Sequence, residues 1–503
     1  MDCLMSIARL LFSIARRNLS FIKLGMKILM ASTEMAPLAR TGGLGDVIEA
    51  LSAELLKRGH EVSVVLPLYR SIRENKALAL KSTGVDVKVN VGSKRLDAEI
   101  FECTAPTGVQ VFLVRRDEYF DRSGIYGSEG RSYDDNAERF IYFSRAVVEL
   151  ARHMDPAPDI LHAHDWQSAL VPAFVKERGL PFGTVLTIHN LAYQGSFWGV
   201  DFGLTNLPGH YFSQNGLEFH GRLNFLKGGI VFADKVTTVS ERYCRDIQTP
   251  EAGCGLDGIL RAQAHKLVGI LNGADYDIWN PAIDKTIPSA YTPANLAGKA
   301  CCRKALLEEL GLNAAPTGPV FAMISRLAQQ KGLDLLIPLL DRLLSDDVRL
   351  AILGEGEEEY ERELMIAARK YPGKFVFRKG FDDALAHRID AGADVMFIPS
   401  HFEPCGQTAM YTLKYGTLPV ARITGGLHQI IQDYDPTEAT GNGFVFFDET
   451  PAALWDAIRR TKAVFAQPAK WQEVMRRAMA SDFSWPAAAE KYEKVYESVS
   501  RGK

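Results

Sequence analysis

Glu403 stands in Pro399–Met410 (P-S-H-F-E-P-C-G-Q-T-A-M), directly after an apolar run, Asp394–Ile398, that reads as a buried strand. Gln407–Tyr415 carries no helix breaker, so the stretch reads as a strand-end loop opening into a helix. In open α/β sheets ligands lie at the carboxyl ends of strands. Helix N-termini there turn unpaired N–H groups toward anions. Glu403 is thus a carboxylate where a polar ligand would lie, with Gly406 permitting close approach of the backbone. Alone, it would read as a solvated loop residue.

Its neighbours argue otherwise. Ser325–Gly332 (S-R-L-A-Q-Q-K-G) follows an apolar run at 320–324, so Arg326 and Lys331 are two cations at another strand end. Arginine can grip phosphate oxygens bidentately and lysine acts as a point charge. His162, His164 and Asp165 (H-A-H-D-W) end one strand of the first half, and His189 with Asn190 (T-I-H-N) ends the next. H-x-H could pair on a metal, but a third ligand at suitable spacing is missing, so no metal is expected. The T-G-G-L-G-D loop offers Gly42, Gly43 and Gly45 ahead of a helix, an arrangement that suits a phosphate. It fits a tight strand–helix turn equally well. It is not G-x-G-x-x-G, and the second strand ends at Leu66-Pro67 without the acidic residue that would hold an NAD ribose. Two D-Y-D triplets, Asp275–Asp277 and Asp433–Asp435, lie in turn-rich stretches and read as incidental. There is no G-x-S-x-G elbow or Walker loop. Cys405 reads as a small buried support rather than a nucleophile.

These residues need a large α/β scaffold to meet. At 503 residues two or three domains are expected. With 47% hydrophobic and 24% charged residues the composition argues against disorder, and a net charge of -3 gives no electrostatic case for nucleic acid. The cysteines (Cys3, Cys103, Cys244, Cys254, Cys301, Cys302, Cys405) form no C-x-x-C pair, which suggests reduced thiols and a cytoplasmic setting. Residues 1–25 are apolar and basic, too short in uninterrupted runs to span a bilayer. They read as a transit-like segment (then a plastid address), a loosely packed helix or an over-long start; Met26, just before the first strand, favours the last. No other stretch reads as a membrane span.

Lys27–Ser32 reads as a strand, Asp46–Arg58 as a helix and Val62–Leu66 as the next strand, a βαβ unit. Strand-like runs recur at Val111–Val114, Ile160–His162, Thr184–Ile188 and Lys235–Val239, which predicts a doubly wound domain over 26–270. The turn-rich L-N-G-A-D-Y-D-I-W-N-P near 268–281 marks a switch. Strands at Val320–Ile324, Arg349–Leu353, Phe375–Phe377, Val395–Ile398 and Leu418–Ala421, with helices such as Gly332–Leu344 and Glu358–Arg369, predict a second over 271–486. The two α/β domains would face each other across a cleft. A last amphipathic helix, Ala487–Ser500 within 487–503, could pack on either. T-G-G-L at Thr41–Leu44 and again at Thr424–Leu427 suggests a duplicated architecture.

Taken in order, the segments S-T-E-M-A-P-L-A-R-T-G-G-L-G-D, H-A-H-D-W-Q, T-I-H-N-L-A-Y-Q-G, F-L-K-G-G-I, L-N-G-A-D-Y-D-I-W-N-P, S-R-L-A-Q-Q-K-G-L-D and F-E-P-C-G-Q-T resemble the bacterial glycogen synthase and plant starch synthase family. The resemblance runs from about Met26 to the C-terminus. It implies two facing Rossmann-like domains (the GT-B architecture) and retaining, metal-independent transfer of glucose from ADP-glucose to the non-reducing end of an α-1,4-glucan, with no cofactor, nucleic acid or membrane. On that reading Arg326 and Lys331 hold the diphosphate, with the Gly42-Gly43 loop and the helix end after Gly425-Gly426. Glu403 holds glucose hydroxyls, His189 lies beside the reacting sugar, Asp46 and Asn272 complete the sugar pocket and Tyr126 lies near the nucleotide. Tyr411 stands where related transferases often carry a second Glu for the ribose. Arg40, Thr41, His164, Asn190, Cys405, Gly406 and Thr424 join the implied substrate-binding set. The chain departs from the family at Arg40 (usually Lys), at His401, Gln407 and Ala409 (usually Arg, Leu and Gln), and at Gln429 (usually Asp). These changes are expected around the nucleotide end of the site. The alternatives are a transferase with another donor or acceptor, such as UDP-glucose, and a non-catalytic glucan-binding homologue.

Overall fold

The computed structural model describes residues 25–128, 131–313 and 317–500, so the expectation for the N-terminal extension lies outside the described residues apart from Gly25. Two sheets carry the fold. The first has nine strands: β1 (Lys27–Ala31), β2 (Glu61–Pro67), β3 (Lys81–Val91), β4 (Lys94–Thr104), β5 (Gln110–Arg115), β6 (Ile160–His164), β7 (Gly183–Ile188), β8 (Lys235–Thr238) and β9 (Leu267–Gly269). Their order is β9-β8-β7-β6-β1-β2-β5-β4-β3. All pairs are parallel except the hairpin β3–β4 and its junction with β5. That hairpin is absent from the expectation of uniform βαβ units. Its cue is local: V-D-V-K-V-N-V alternates, burying Val87, Val89 and Val91, and Gly92 turns the chain with φ near +58°.

The second sheet has six parallel strands: β10 (Val320–Ile324), β11 (Arg349–Gly354), β12 (Phe375–Lys379), β13 (Val395–Ile398), β14 (Leu418–Arg422) and β15 (Phe444–Phe446). In the order β12-β11-β10-β13-β14-β15, β10 and β13 are neighbours. The ends that carry Arg326 and Lys331 therefore lie beside the end that carries Glu403. This adjacent pair is the point where strand order reverses, the place where such sheets bind ligands. The helix expected over Gly332–Leu344 is broken into Leu333–Leu336, a 3-10 turn at Ile337–Leu339 and Leu340–Leu344. Pro338, which has no N–H to donate, sits at the break.

The last helix, Trp485–Val499, packs on the first sheet rather than its own neighbours in sequence. Glu493 takes two guanidinium hydrogen bonds from Arg58, at 2.9 and 3.0 Å, and lies 3.0 Å from Nε2 of the buried His60. Tyr492 and Tyr496 are fully buried there. The chain thus crosses back and ties this helix to the core of the first half. No helix among the described residues is long and apolar enough to cross a membrane.

Candidate active site

The carboxyl ends of β1, β6, β7, β10 and β13 open on one cavity of about 510 Å³ between the two sheets. On the second-sheet wall, Lys331 Nζ donates to Glu403 Oε2 at 2.7 Å, and Ser400 Oγ donates to the same oxygen at 3.0 Å. The two loops can come this close because Gly332 has no side chain. With φ near +71°, a Cβ there would lie 2.0 Å from the Pro399 carbonyl oxygen. Gln330 Nε2 donates to the Phe402 carbonyl at 3.1 Å and fastens the loops again. Arg326 is exposed and reaches across the cleft, where Nη1 lies 3.3 Å from the Tyr193 hydroxyl.

The first-sheet wall is built from histidines. Period-2 alternation on β6 turns His162 and His164 to one face, their rings 3.9 Å apart. His164 Nδ1 lies 3.1 Å from His189 Nε2, and His162 is held by Thr187 at 2.6 Å and Tyr496 at 2.9 Å. Burial drives all three imidazoles toward the neutral form: His162 and His189 fall to about 3, and His164 falls well below its ordinary value. Asp165, in a left-handed conformation at φ near +55°, accepts the His189 backbone N–H at 2.8 Å. Burial raises its carboxyl to about 7.

Glu34 is the residue that sequence reasoning missed. It is almost fully buried, and its carboxylate accepts Thr41 N–H at 2.6 Å, Thr41 Oγ1–H at 2.7 Å, Gly42 N–H at 3.1 Å and Tyr126 O–H at 2.6 Å. The only cue was its position just past β1. The amides of Thr41 and Gly42 are thereby occupied, so what the loop presents to an anion is the head of the helix Gly43–Lys57. Tyr126 lines the cavity, with its hydroxyl holding this loop.

Thr41, Gly42, Gly43, Tyr126, His189, Asn190, Asn272, Arg326, Lys331, Glu403, Cys405 and Gly406 all line the cavity. Cys405 is a buried thiol pushed up to about 12, chiefly by desolvation, which leaves it no nucleophilic thiolate at neutral pH. Other expected residues lie elsewhere. His164 is fully buried behind His189 and supports it rather than reaching a ligand. Gly425 and Gly426 are buried behind the Glu403 loop: a Cβ on either would strike the carbonyl oxygen of Glu403 or Cys405 at 2.1 or 1.8 Å. They serve loop packing, and Thr424 belongs to the same turn, its carbonyl accepting from Leu427 N–H. Tyr411 stacks on Trp279 at 4.5 Å, which stacks on His387 at 3.7 Å. Arg40 pairs with Asp46 at 3.0 Å and reaches Asp383 of the second half at 3.5 Å, and burial raises the Asp46 carboxyl to about 6.

The departures do not cluster at one end of the site. Only Gln407 faces the cavity. His401 turns to Asp334 and Glu449, at 2.9 and 3.1 Å, and Ala409 is buried. Gln429 Oε1 accepts the Glu241 N–H at 2.8 Å, on the seam between the halves. There Ser240 Oγ also donates to the Pro404 carbonyl at 2.7 Å. The D-Y-D triplets hold turns: Asp275 accepts the Asp277 N–H and Asp435 the Thr437 N–H, at 2.9 and 2.7 Å.

Two facing α/β sheets with cations and a carboxylate on one lip and neutral histidine on the other define a glycosyltransferase of the GT-B class. Residues 27–262 match the starch synthase catalytic domain family and residues 311–473 the group 1 glycosyl transferases. The chain is 42% identical over 477 residues to the glycogen synthase of Opitutus terrae, covering 94% of this chain and 99% of that protein. It is 44% identical over 482 residues to that of Anaeromyxobacter sp., covering 94% and 100%. The catalytic domain of starch synthase IV from Arabidopsis thaliana, solved bound to ADP and acarbose, matches with a TM-score of 0.88 at 33% identity, over 95% of this chain and 100% of that one. Sucrose-phosphate synthase from Thermosynechococcus elongatus shares the fold alone, with a TM-score of 0.59 at 16% identity over 94% and 98%. The chain belongs to the glycogen and starch synthase family and is a glucosyltransferase of that synthesis.

Proposed function

We propose that the chain transfers glucose from ADP-glucose to the non-reducing 4-hydroxyl of an α-1,4-glucan, with retention and without a metal ion, in the cytoplasm. The observation that carries the reading is the meeting of Arg326, Lys331 and Glu403 with His189 around one cavity. Two cations suit a diphosphate, and a carboxylate beside a neutral imidazole suits sugar hydroxyls. The cysteines that are free among the described residues favour the compartment.

Each group has a definite task. Lys331 and Arg326 stabilise the negative charge that grows on departing ADP, an electrostatic contribution that needs no proton transfer from the protein. Lys331 is shared between Glu403 and the incoming diphosphate, which frees a Glu403 lone pair for a glucose hydroxyl. His189, whose imidazole desolvation holds toward the neutral form, lines the cavity where it can hydrogen-bond the sugar. Bond change is confined to the substrates: the anomeric carbon loses its bond to phosphate oxygen and gains one to the acceptor oxygen on the same face. The acceptor proton leaves with ADP.

Nucleoside diphosphate release from ADP-glucose and UDP-glucose, each with and without glycogen, tests this. Primer-dependent ADP release with lengthening chains is the expected result. Release from UDP-glucose alone would move the donor, and glycogen binding without release from either would replace the enzyme by a binding protein.

A further inference from the structure

The three-stranded ribbon beside the cleft carries an exposed indole that the chemistry above does not use. Ser196–Trp198 pairs antiparallel with Arg222–Asn224, placing Phe197 opposite Leu223 and Trp198 opposite Arg222. Alternation sends Phe197 inward onto Trp166 and Phe225, at 5.7 and 4.9 Å between ring centres, and sends Trp198 outward, 72% exposed. A single exposed aromatic residue means little by itself. This one is held in place. The Arg222 guanidinium lies 5.2 Å from the indole ring, and its Nε and Nη2 donate to Ser196 Oγ and the Ser196 carbonyl at 2.8 and 3.0 Å. One guanidinium thus stacks on the ring while both its ends are tied to the same ribbon. This contact favours a pose in which the indole keeps apolar surface facing water.

The segment that carries the ring begins at the cleft rim. Tyr193, at the cleft rim opposite Arg326, begins the segment, and Gly195 packs so closely on Trp166 that a Cβ would lie 2.4 Å from its ring. Trp166 lines the cavity and carries Phe197 on its far side. Tyr193, Trp198 and Val200 are the large exposed apolar side chains of this stretch. We propose that Trp198, braced by Arg222, is an outer subsite that stacks on a sugar ring of the acceptor glucan after the chain has left the cleft past Tyr193. An α-glucan is uncharged and offers apolar C–H faces, which suit a neutral aromatic platform. The inference rests on the α-glucan acceptor proposed above.

The test compares acceptors of different length. With the donor saturating, Trp198→Ala should raise KM for maltoheptaose and glycogen by about five- to tenfold, leaving kcat and the maltotriose KM unchanged. Trp198→Phe should restore most of the loss, and Arg222→Ala should reproduce part of it. Equal KM changes at every length, or none, would overturn the subsite. Retardation of wild type and Trp198→Ala in native gels containing glycogen reads the platform without turnover. If wild type transferred no glucose, the functional reading would fall while the gel still decided the subsite: weaker retardation of the variant supports it, and equal retardation removes it.

Discussion

The two lips of the cleft solve the same problem with opposite physics. The second-sheet lip is charged and partly wet: Arg326 is exposed, and the Lys331–Glu403 pair stands at the cavity surface. The first-sheet lip presents a histidine stack held toward the neutral form, with His189 resting on His164, and His162 held by Thr187 and a tyrosine 334 residues away. Its carboxylate, Glu34, is already taken up by its own loop and Tyr126. Charges at a lip can exchange one partner for another when a diphosphate arrives, at small structural cost. Rearranging the imidazole chain would break the hydrogen bonds of His162 to Thr187 and Tyr496 inside the core. The difference teaches that the donor side is arranged for electrostatics and the other side for shape. Activity and stability should therefore separate between the two lips.

The largest effect is expected on the charged side. Lys331→Ala should lower kcat by about 10²–10³, the scale for losing one preorganised electrostatic partner, with a melting temperature close to wild type. Glu403→Ala should do the same, and the double variant should fall short of the product because the two share one hydrogen bond. Wild-type rates in either single variant would remove the site assignment.

Next comes the histidine side. His162→Ala, which touches no substrate, should destabilise the fold by about 2–4 kcal/mol by opening a cavity and orphaning Thr187 and Tyr496, read by urea denaturation. If it lost activity but no stability, the two lips would not differ as described.

A third expectation concerns pH. The histidines have folded values far below the unfolded 6.5, so the unfolded chain binds more protons between those limits. Their stabilising contribution is complete above about pH 6.5 and is lost as pH falls toward about 3. Asp165 acts in the opposite sense: with its folded value raised to about 7, the folded state binds the extra proton, and stability declines as pH rises toward 7. Asp165→Asn should therefore steepen the acid loss between pH 7 and pH 5 in urea midpoints. A shallower loss would contradict the buried assignment.

The smallest effect belongs to the seam. Gln429→Ala removes one hydrogen bond to Glu241 N–H and should change KM for the donor by about twofold or less, with kcat unchanged, in the diphosphate-release assay. A large change would mean that the seam, and not only the two lips, governs the site.

Much of this was legible from residues. The runs at Val320–Ile324 and Val395–Ile398 are strands with those bounds, because uninterrupted apolar residues suit strands covered on both faces. The strand-end positions of Arg326, Lys331, Glu403 and His189 followed from that periodicity. Glu34 was not legible, since an acid seven residues before Thr41 shows no sign of satisfying that loop until the loop folds back on it. The twin T-G-G-L segments looked alike yet differ: the first lines the cavity, and the glycines of the second pack behind the Glu403 loop.

The sequence by itself determined the two α/β halves, the family, and which side chains stand at strand ends, because these depend on local periodicity and motif order. The tertiary structure alone decided that Lys331 pairs with Glu403, that His164 supports His189 from within, and that the last helix braces the first half. Those are contacts between residues 25 to 435 positions apart, and only the packing of the sheets brings them within hydrogen-bond distance.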